Sequence, residues 1–457
     1  MSLSRRDALK VIGLSPVAAG MLLSAKPTDV HASEDVKGKV LIVGGGSGAI
    51  MALSRIHRAI SNPDITIIAP NEIHLYQPGQ VFVAAGEMQF DDLILHNSEY
   101  IPDDVKWIKD EVATFNPKNN SVTTRGGKEV KYDYMIVATG VINRFDKIEG
   151  LTEKDIGTNG ISCVYLSDME KGTARGAVAM KKWFDELKEK TKIKKQKVVY
   201  TQPDSPIKCG GAPQKMLYLS ADYLKKAGLG ADYQFYTGLK TLFHLPEVAT
   251  ALEKVQKQYD TIKSNYSHFL QSIDVAGKKA TFVHAYEKEI YDEDFGETIK
   301  ESVADEVIIE YDFIHVVPPM SPPLALMDSE LINDMGWLDV DKYTLQHKKY
   351  TNVFGIGDVC GIPMGKTGGS ARHHGPILTD NLISVMKGKN PKEKFDGYTV
   401  CPLKTEYGKI LMAEFNYEGP KPTIPFLDID EPRWMWWAFD LYMLKPMYKH
   451  LMLPGYF

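Results

Sequence analysis

A chain of 457 residues exceeds the roughly 250–300 at which one hydrophobic core stops growing, so at least two domains with appendages are expected. With 44% hydrophobic and 25% charged residues, the composition is that of a folded protein and excludes long disordered tracts. A net charge of -5 without a basic stripe excludes nucleic acid as a partner, and 4 cysteines without a CxxC spacing exclude a disulfide scaffold or a zinc site, leaving no metal centre to assign.

Residues 1–32 read as an address. Ser4-Arg5-Arg6-Asp7-Ala8-Leu9-Lys10 precedes an apolar run from Val11 to Ala25, and Val30-His31-Ala32 offers a small-residue cleavage site. This is the pattern of a twin-arginine (Tat) export signal, although Ala8 stands where such signals usually carry a bulky apolar residue. It predicts a mature protein that begins near Ser33 and sits on the periplasmic face of the inner membrane.

Next, Lys39-Val40-Leu41-Ile42-Val43 is a short apolar strand followed at once by Gly44-Gly45-Gly46-Ser47-Gly48-Ala49 and a helical stretch through Ile60. Strand, glycine turn and helix form a dinucleotide cradle. Gly44 permits the turn, Gly46 leaves room for a pyrophosphate, Ala49 allows close helix–strand packing, and the helix start around Ser47 meets the phosphate charge. The second strand, Asp64–Ile68, should end in an acidic residue for a ribose hydroxyl, but Ala69 stands there with Asn71 and Glu72 just beyond. Either Asn71 or Glu72 reaches round, or that bond is missing.

Tyr132-Asp133-Tyr134-Met135-Ile136-Val137-Ala138-Thr139-Gly140 is a strand ending in a small-residue turn, and Asn352-Val353-Phe354-Gly355-Ile356-Gly357-Asp358 repeats the form much later. Together they resemble the closing motifs of flavoproteins with two dinucleotide-binding domains, which implies FAD, with Asp358 on its ribityl chain. The segment that follows holds Lys366. A lysine there is either solvated or the positive neighbour that a reduced flavin needs.

Between these motifs, Lys197–Thr201 looks like the first strand of a second Rossmann-like domain. A nicotinamide enzyme would place a second glycine turn after it. Here the chain runs Gln202-Pro203-Asp204-Ser205-Pro206-Ile207-Lys208-Cys209-Gly210-Gly211-Ala212-Pro213-Gln214-Lys215, so prolines and a cysteine occupy the pyrophosphate position and NADH is a poor electron donor. The lysine-rich stretch from Lys181 to Lys197 reads as the solvated face of a helix.

The segment from Cys209 to Ser220 is similar to the cysteine-bearing segment of sulfide:quinone oxidoreductases, in the branch that includes the mitochondrial enzymes. The similarity continues through Tyr76-Gln77-Pro78, His315 to Pro323, Gly336 to Asp341, Thr344 to His347, and Tyr398-Thr399-Val400-Cys401-Pro402-Leu403. It is least in the region from Asp168 to Lys197. The resemblance implies that Cys209 and Cys401 carry the sulfur chemistry: hydrosulfide opens a disulfide or sulfur-bridged pair, leaving a persulfide and a thiolate, and two electrons pass through FAD to a quinone. Lys208 and Lys215 are either helpers that lower thiol pKa values or solvent-exposed. Cys360 and Cys163 are read as bystanders.

A quinone lives in lipid, which makes the aromatic C-terminus informative. Trp434, Trp437, Leu441 and Leu444 share one helical face, and after a break at Pro446 the residues Met447, Leu451 and Met452 repeat it. Two amphipathic helices lying on a lipid bilayer surface are expected, as a monotopic anchor; the other reading is a pair of core or dimer-interface helices. The expected fold is therefore α/β: residues 33–150 and 309–390 as two parts of an FAD-binding domain, 151–308 as a second Rossmann-like domain carrying Cys209, and 391–457 as the C-terminal region with Cys401 and the anchor. The expected partners are sulfide, quinone, a small-molecule sulfur acceptor and the bilayer, with a homo-oligomer left open. The rival functions are a flavocytochrome-type sulfide dehydrogenase, a type-2 NADH:quinone oxidoreductase, and a flavin-loaded binding protein without catalysis.

Overall fold

The computed structural model describes residues 33–168, 172–259, 261–292 and 297–457; the expected export signal, residues 1–32, lies outside them. Four of the five residues in Lys39–Val43 are buried, as a central strand requires, and it has parallel neighbours on both sides, Asp64–Ile68 and Tyr134–Val137. Val353–Gly355 and Lys106–Ile108 close the two edges of this five-stranded sheet. An all-parallel sheet is covered on both faces, which is why its strands read as unbroken apolar runs. The chain leaves the first strand through Gly44 at φ +124°. A Cβ there would lie 2.3 Å from the Ala138 carbonyl oxygen, so only glycine lets the turn pass the neighbouring strand. The helix Ser47–Ala59 follows directly.

A second five-stranded sheet has the order Ile161–Ser162, Phe313–His315, Lys197–Gln202, Asp232–Thr237, Ile262–Asn265, again parallel throughout. The lysine-rich stretch forms the helix Arg175–Thr191, whose buried side is Met180, Trp183, Phe184 and Leu187. After Lys197–Gln202 the chain crosses the proline-containing loop and enters the helix Ala212–Lys226. A long antiparallel hairpin, Lys279–Asp292 with Glu297–Glu310, leads the chain back into the second sheet at Phe313–His315. Near the C-terminus, Thr399–Glu406 pairs antiparallel with Lys409–Asn416, placing Cys401 opposite Ala413.

The C-terminal segment departs from expectation in two ways. It is helical from Trp434 to Met452 without a break at Pro446, because π-helical turns at Phe439–Met443 and Tyr448–Met452 flank the short α-helix Leu444–Met447. A widened turn absorbs the hydrogen bond that proline cannot donate. The face expected to meet lipid is also divided. Trp437 and Leu441 are buried with the core of the second sheet, while Tyr448, Met452 and Leu453 are buried with the core of the first. Trp437 meets Phe82 edge-on with ring centroids 5.2 Å apart, a contact worth about 0.5–1.5 kcal/mol beyond its buried area. Trp434 alone of the expected face is clearly exposed, at 54%. Among the described residues no helix is long and apolar enough to cross a membrane.

Candidate active site

Two groups of residues meet where the sheets face one another: a glycine-lined cradle on the first sheet, and a cysteine pair supplied by the second sheet and the C-terminal strands. In the cradle, a Cβ at Gly46, Gly140 or Gly357 would meet nothing within 4 Å. These three turns therefore border open space, and Gly140 and Gly357 reach it with φ of +65° and +79°. The hydroxyl of Thr139 is buried without a hydrogen-bond partner among the described residues. Open space beside glycines together with an unsatisfied buried hydroxyl fits the phosphate and sugar portions of FAD. The helix Ser47–Ala59 points its start at the same space, and Ala49 is fully buried beneath it.

Asn71 lies against the glycine turn: its amide nitrogen donates to the carbonyls of Gly45 at 3.3 Å and Ile73 at 3.0 Å. Glu72 faces outward in an exposed ion pair with Lys109. Of the two residues weighed for the ribose, Asn71 is the one beside the cradle.

Asp358 and Lys366 form the third wall. Lys366 is 9% exposed, and its ammonium donates to the carbonyls of Asp358 at 2.7 Å and Cys360 at 2.9 Å. It also lies 3.5 Å from the centre of the Trp337 ring. Burial pushes its pKa down to about 8, with Asp358 opposing. Burial likewise raises the Asp358 carboxyl. Lys366 is thus not a solvated loop lysine, and it needs its three partners to remain charged. His374 accepts from the Gly357 amide at 3.2 Å and holds that turn in place.

Cys209 sits on the loop before Ala212–Lys226 in a left-handed conformation, φ +52°, which is costly for a residue bearing a Cβ. Three bonds hold it there. Its amide donates to the Lys366 carbonyl at 2.9 Å, and its own carbonyl accepts from the Ala212 amide at 2.8 Å and the Tyr165 hydroxyl at 3.0 Å. The loop that carries the cysteine is thereby tied to the loop that walls the cradle. Lys215, one helical turn further on, donates to the Cys209 sulfur at 2.9 Å.

Cys401 reaches the same place from the strand Thr399–Glu406. The residue that permits this is Gly211, where a Cβ would lie 2.7 Å from the Cys401 sulfur and 2.3 Å from Leu403 Cδ2. Gly211 was not singled out as functional from the sequence; the only signal was a second glycine after Cys209. Gly211→Ala should push the strand away at a cost of roughly 1–3 kcal/mol, lowering sulfide-dependent flavin reduction about tenfold while FAD stays bound, as stopped-flow absorbance would show.

The four cysteines are free thiols, and their environments differ. Burial pushes Cys163 and Cys360 up to about 12, and both lie wholly inside apolar cores. Cys209 is held well below the usual thiol range by a hydrogen bond from Cys401, then by the charges of Lys215 and Lys404. Cys401 moves the other way, because it shares its proton with the Cys209 sulfur and is buried. For Lys215, burial opposes the charge, but the two sulfurs outweigh it and hold the ammonium above the ordinary lysine range. One lowered thiol, one raised thiol and one lysine thus stand together.

A two-sheet fold with an FAD cradle and a facing cysteine pair defines a flavin-dependent disulfide-oxidoreductase type of enzyme. Residues 38–178 match the pyridine nucleotide-disulphide oxidoreductase family. The mitochondrial sulfide:quinone oxidoreductase of Mus musculus is 36% identical over 92% of this chain and 87% of its own length. That of Dictyostelium discoideum is 36% identical over 83% of this chain and 78% of its own. The sulfide:quinone oxidoreductase of Aquifex aeolicus shares the fold, with a TM-score of 0.68 at 19% identity over 92% of each chain. The chain belongs to the sulfide:quinone oxidoreductase family and is an FAD-dependent oxidoreductase.

These relatives correct the expected compartment. Those of Mus musculus and Dictyostelium discoideum are mitochondrial enzymes, which stands against the expected periplasmic face. The physical reason for the error is that two arginines ahead of an apolar run are a short compositional pattern that does not by itself fix a compartment.

Proposed function

We propose that this chain oxidises sulfide and passes two electrons to a quinone, with Cys209 and Cys401 as the sulfur-handling pair. The observation that carries this reading is that two cysteines 192 positions apart (401 minus 209) come to one place: the Cys401 sulfur lies against Gly211, two residues from Cys209, whose own sulfur accepts from the buried Lys215 ammonium on a loop bonded to the cradle wall.

With the pair oxidised, hydrosulfide attacks one sulfur of the disulfide. A new S–S bond forms, the old one breaks, and the products are a cysteine persulfide and a thiolate on the partner. Cys209 is the better leaving thiolate because Lys215 is already hydrogen-bonded to it, so attack falls on Cys401, which becomes the persulfide. A small-molecule sulfur acceptor, itself a nucleophile, removes the outer sulfur and restores two reduced cysteines. FAD, when bound by the Gly44–Gly46 turn, Ser47, Asn71, Thr139, Gly140, Gly357 and Asp358, supplies the two-electron acceptor that lets the cysteine pair be reoxidised. Lys366 provides a fixed positive charge at that wall.

A quinone partner requires contact with a bilayer. We assign this to the C-terminal surface that exposes Trp434 and, earlier in the chain, Phe426, 83% exposed, with the rest of the helical run serving to dock that surface on the body.

The test is anaerobic titration of the flavin-loaded protein with sulfide, followed by a short-chain quinone. Sulfide should bleach the flavin within seconds and quinone should restore it, while NADH leaves it oxidised. Reduction by NADH but not by sulfide would overturn the proposal.

A further inference from the structure

Beneath the glycine turn of the cradle runs a chain of buried hydrogen bonds that ends in the C-terminal helical run. Asn97 opens the short helical turn Asn97–Glu99 after the strand Ile94–His96, and its side chain is wholly buried. Its amide nitrogen donates to the carbonyl of Gly45 at 3.1 Å and to that of Asn71 at 2.9 Å. With both amide hydrogens spent on carbonyls, its oxygen faces His74 Nδ1 at 2.9 Å. His74 stands on the strand Ile73–Leu75, which pairs with Ile94–His96, and its Nε2 meets the Tyr448 hydroxyl. Burial pushes the ring down to about 4, against the Asn97 bond, so it is neutral and carries one hydrogen. Only a hydrogen on Nδ1 suits the Asn97 oxygen, which leaves Nε2 to accept from Tyr448. Each donor therefore points the same way, from the C-terminal run towards the turn. Tyr448 is held in addition by the Tyr76 ring, edge-on with centroids 5.0 Å apart.

The acceptor at the end of the chain decides what it does. The Gly45 carbonyl takes two donors, from Asn97 and from Asn71 at 3.3 Å, which fills both of its lone pairs. A trans peptide sets its N–H opposite its C=O, and no peptide bond among the described residues is cis. With the Gly45 carbonyl drawn back onto the two asparagines, the Gly46 amide must point the other way. Gly46 borders open space and immediately precedes the helix Ser47–Ala59. Backbone amides at such a helix start are the donors that a phosphate takes.

We propose that Asn97, oriented by His74 and Tyr448, is a positioning residue for the FAD pyrophosphate: it holds the Gly45 carbonyl back and so turns the Gly46 amide towards the phosphate. Docking of the C-terminal run thereby becomes part of cofactor binding, since Tyr448 supplies the hydrogen bond that fixes His74.

The test uses the flavin-loaded full chain and two readouts. Phosphorus NMR follows the pyrophosphate of the bound flavin, and a rise in flavin fluorescence follows release of FAD while far-UV circular dichroism shows that the chain stays folded. Tyr448→Phe removes one hydroxyl and keeps the ring; it should move a pyrophosphate resonance towards that of free FAD and speed release roughly three- to tenfold. Asn97→Asp cannot donate to either carbonyl and sets a charge against them, so release should speed at least about a hundredfold. Because Tyr448 acts through Asn97, the double variant should release FAD no faster than Asn97→Asp. Resonances and release unchanged in both single variants overturn the proposal, and a change confined to Asn97→Asp overturns the part given to the C-terminal run. Faster release with unmoved resonances would mean that these side chains only fill the core, and it overturns the proposal too. Should Asn97→Asp take up no flavin, Tyr448→Phe decides by the same readouts. The proposal rests on FAD lying against the Gly44–Gly46 turn, and failure of that reading is separately visible. Gly46→Val points its side chain into the open space: if it keeps FAD with unaltered resonances, the reading falls, whereas loss of FAD there beside unchanged Asn97→Asp and Tyr448→Phe removes only the role of Asn97.

Discussion

Cys209→Ser and Cys401→Ser should each leave a yellow, folded protein whose flavin sulfide no longer bleaches, with the reduction rate down at least about a thousandfold. Serine keeps the volume within one atom and has no accessible anion near neutral pH, so the loss reports the sulfur and not the packing. The two losses should also fail to add, because an oxidised pair needs both atoms: the double variant should be no slower than either single one. The matching variants Cys163→Ser and Cys360→Ser should retain sulfide-dependent bleaching, since both thiols are fully buried in apolar cores and burial holds them near 12. Stopped-flow absorbance of the flavin band checks all four. Undiminished bleaching in Cys209→Ser would sink the assignment.

The second large effect is expected at Lys215. Its ammonium is hydrogen-bonded to the Cys209 sulfur, and with the Cys401 hydrogen bond it keeps that thiol low. The sign is fixed by which form reacts. The thiolate is the working species, and it is populated above the thiol pKa. A depressed pKa therefore keeps the enzyme active towards acid, and a raised one withdraws that activity first at low pH. Lys215→Met removes the charge while keeping most of the stem, so the acid limb of the pH–rate profile should move up by about one to two units. The rate at neutral pH should then fall roughly ten- to a hundredfold and recover as pH is raised. Lys215→Arg should recover part of the loss. A profile that drops equally at every pH would show that Lys215 shapes the site without setting the thiol.

The parts of this molecule that were legible in the sequence are those whose physics is local. The glycine turn after Lys39–Val43 could be read because a strand, a turn that forbids a Cβ and a helix start must follow one another along the chain. The proline-rich loop before Cys209 could be read as a lost nucleotide site for the same reason. Cys209 and Cys401 became a pair only through resemblance to a family, because nothing in local sequence joins a loop to a strand nearly two hundred residues away. Gly211 was invisible on the same ground: it matters through a neighbour that only the folded chain supplies. The C-terminal run shows a different limit. Its period of apolar residues correctly implied an amphipathic helix, but an apolar face fits a protein core as well as it fits lipid. The structure turns Trp437 and Leu441 inward and leaves Trp434 out.

The helix Ala212–Lys226 begins where a nicotinamide enzyme would receive the pyrophosphate of its second nucleotide, and the sheet behind it keeps the parallel winding of such a unit. Its positive end is still there, but the Cys209 sulfur stands before it in place of a phosphate. One anion has been exchanged for another on an unaltered frame. Changing the electron donor of such a flavoprotein from a hydride carrier to an inorganic sulfur species is then a matter of rewriting a single connecting loop and bringing one foreign strand alongside it. The distance between two metabolic trades on this architecture is far shorter than the distance between their substrates.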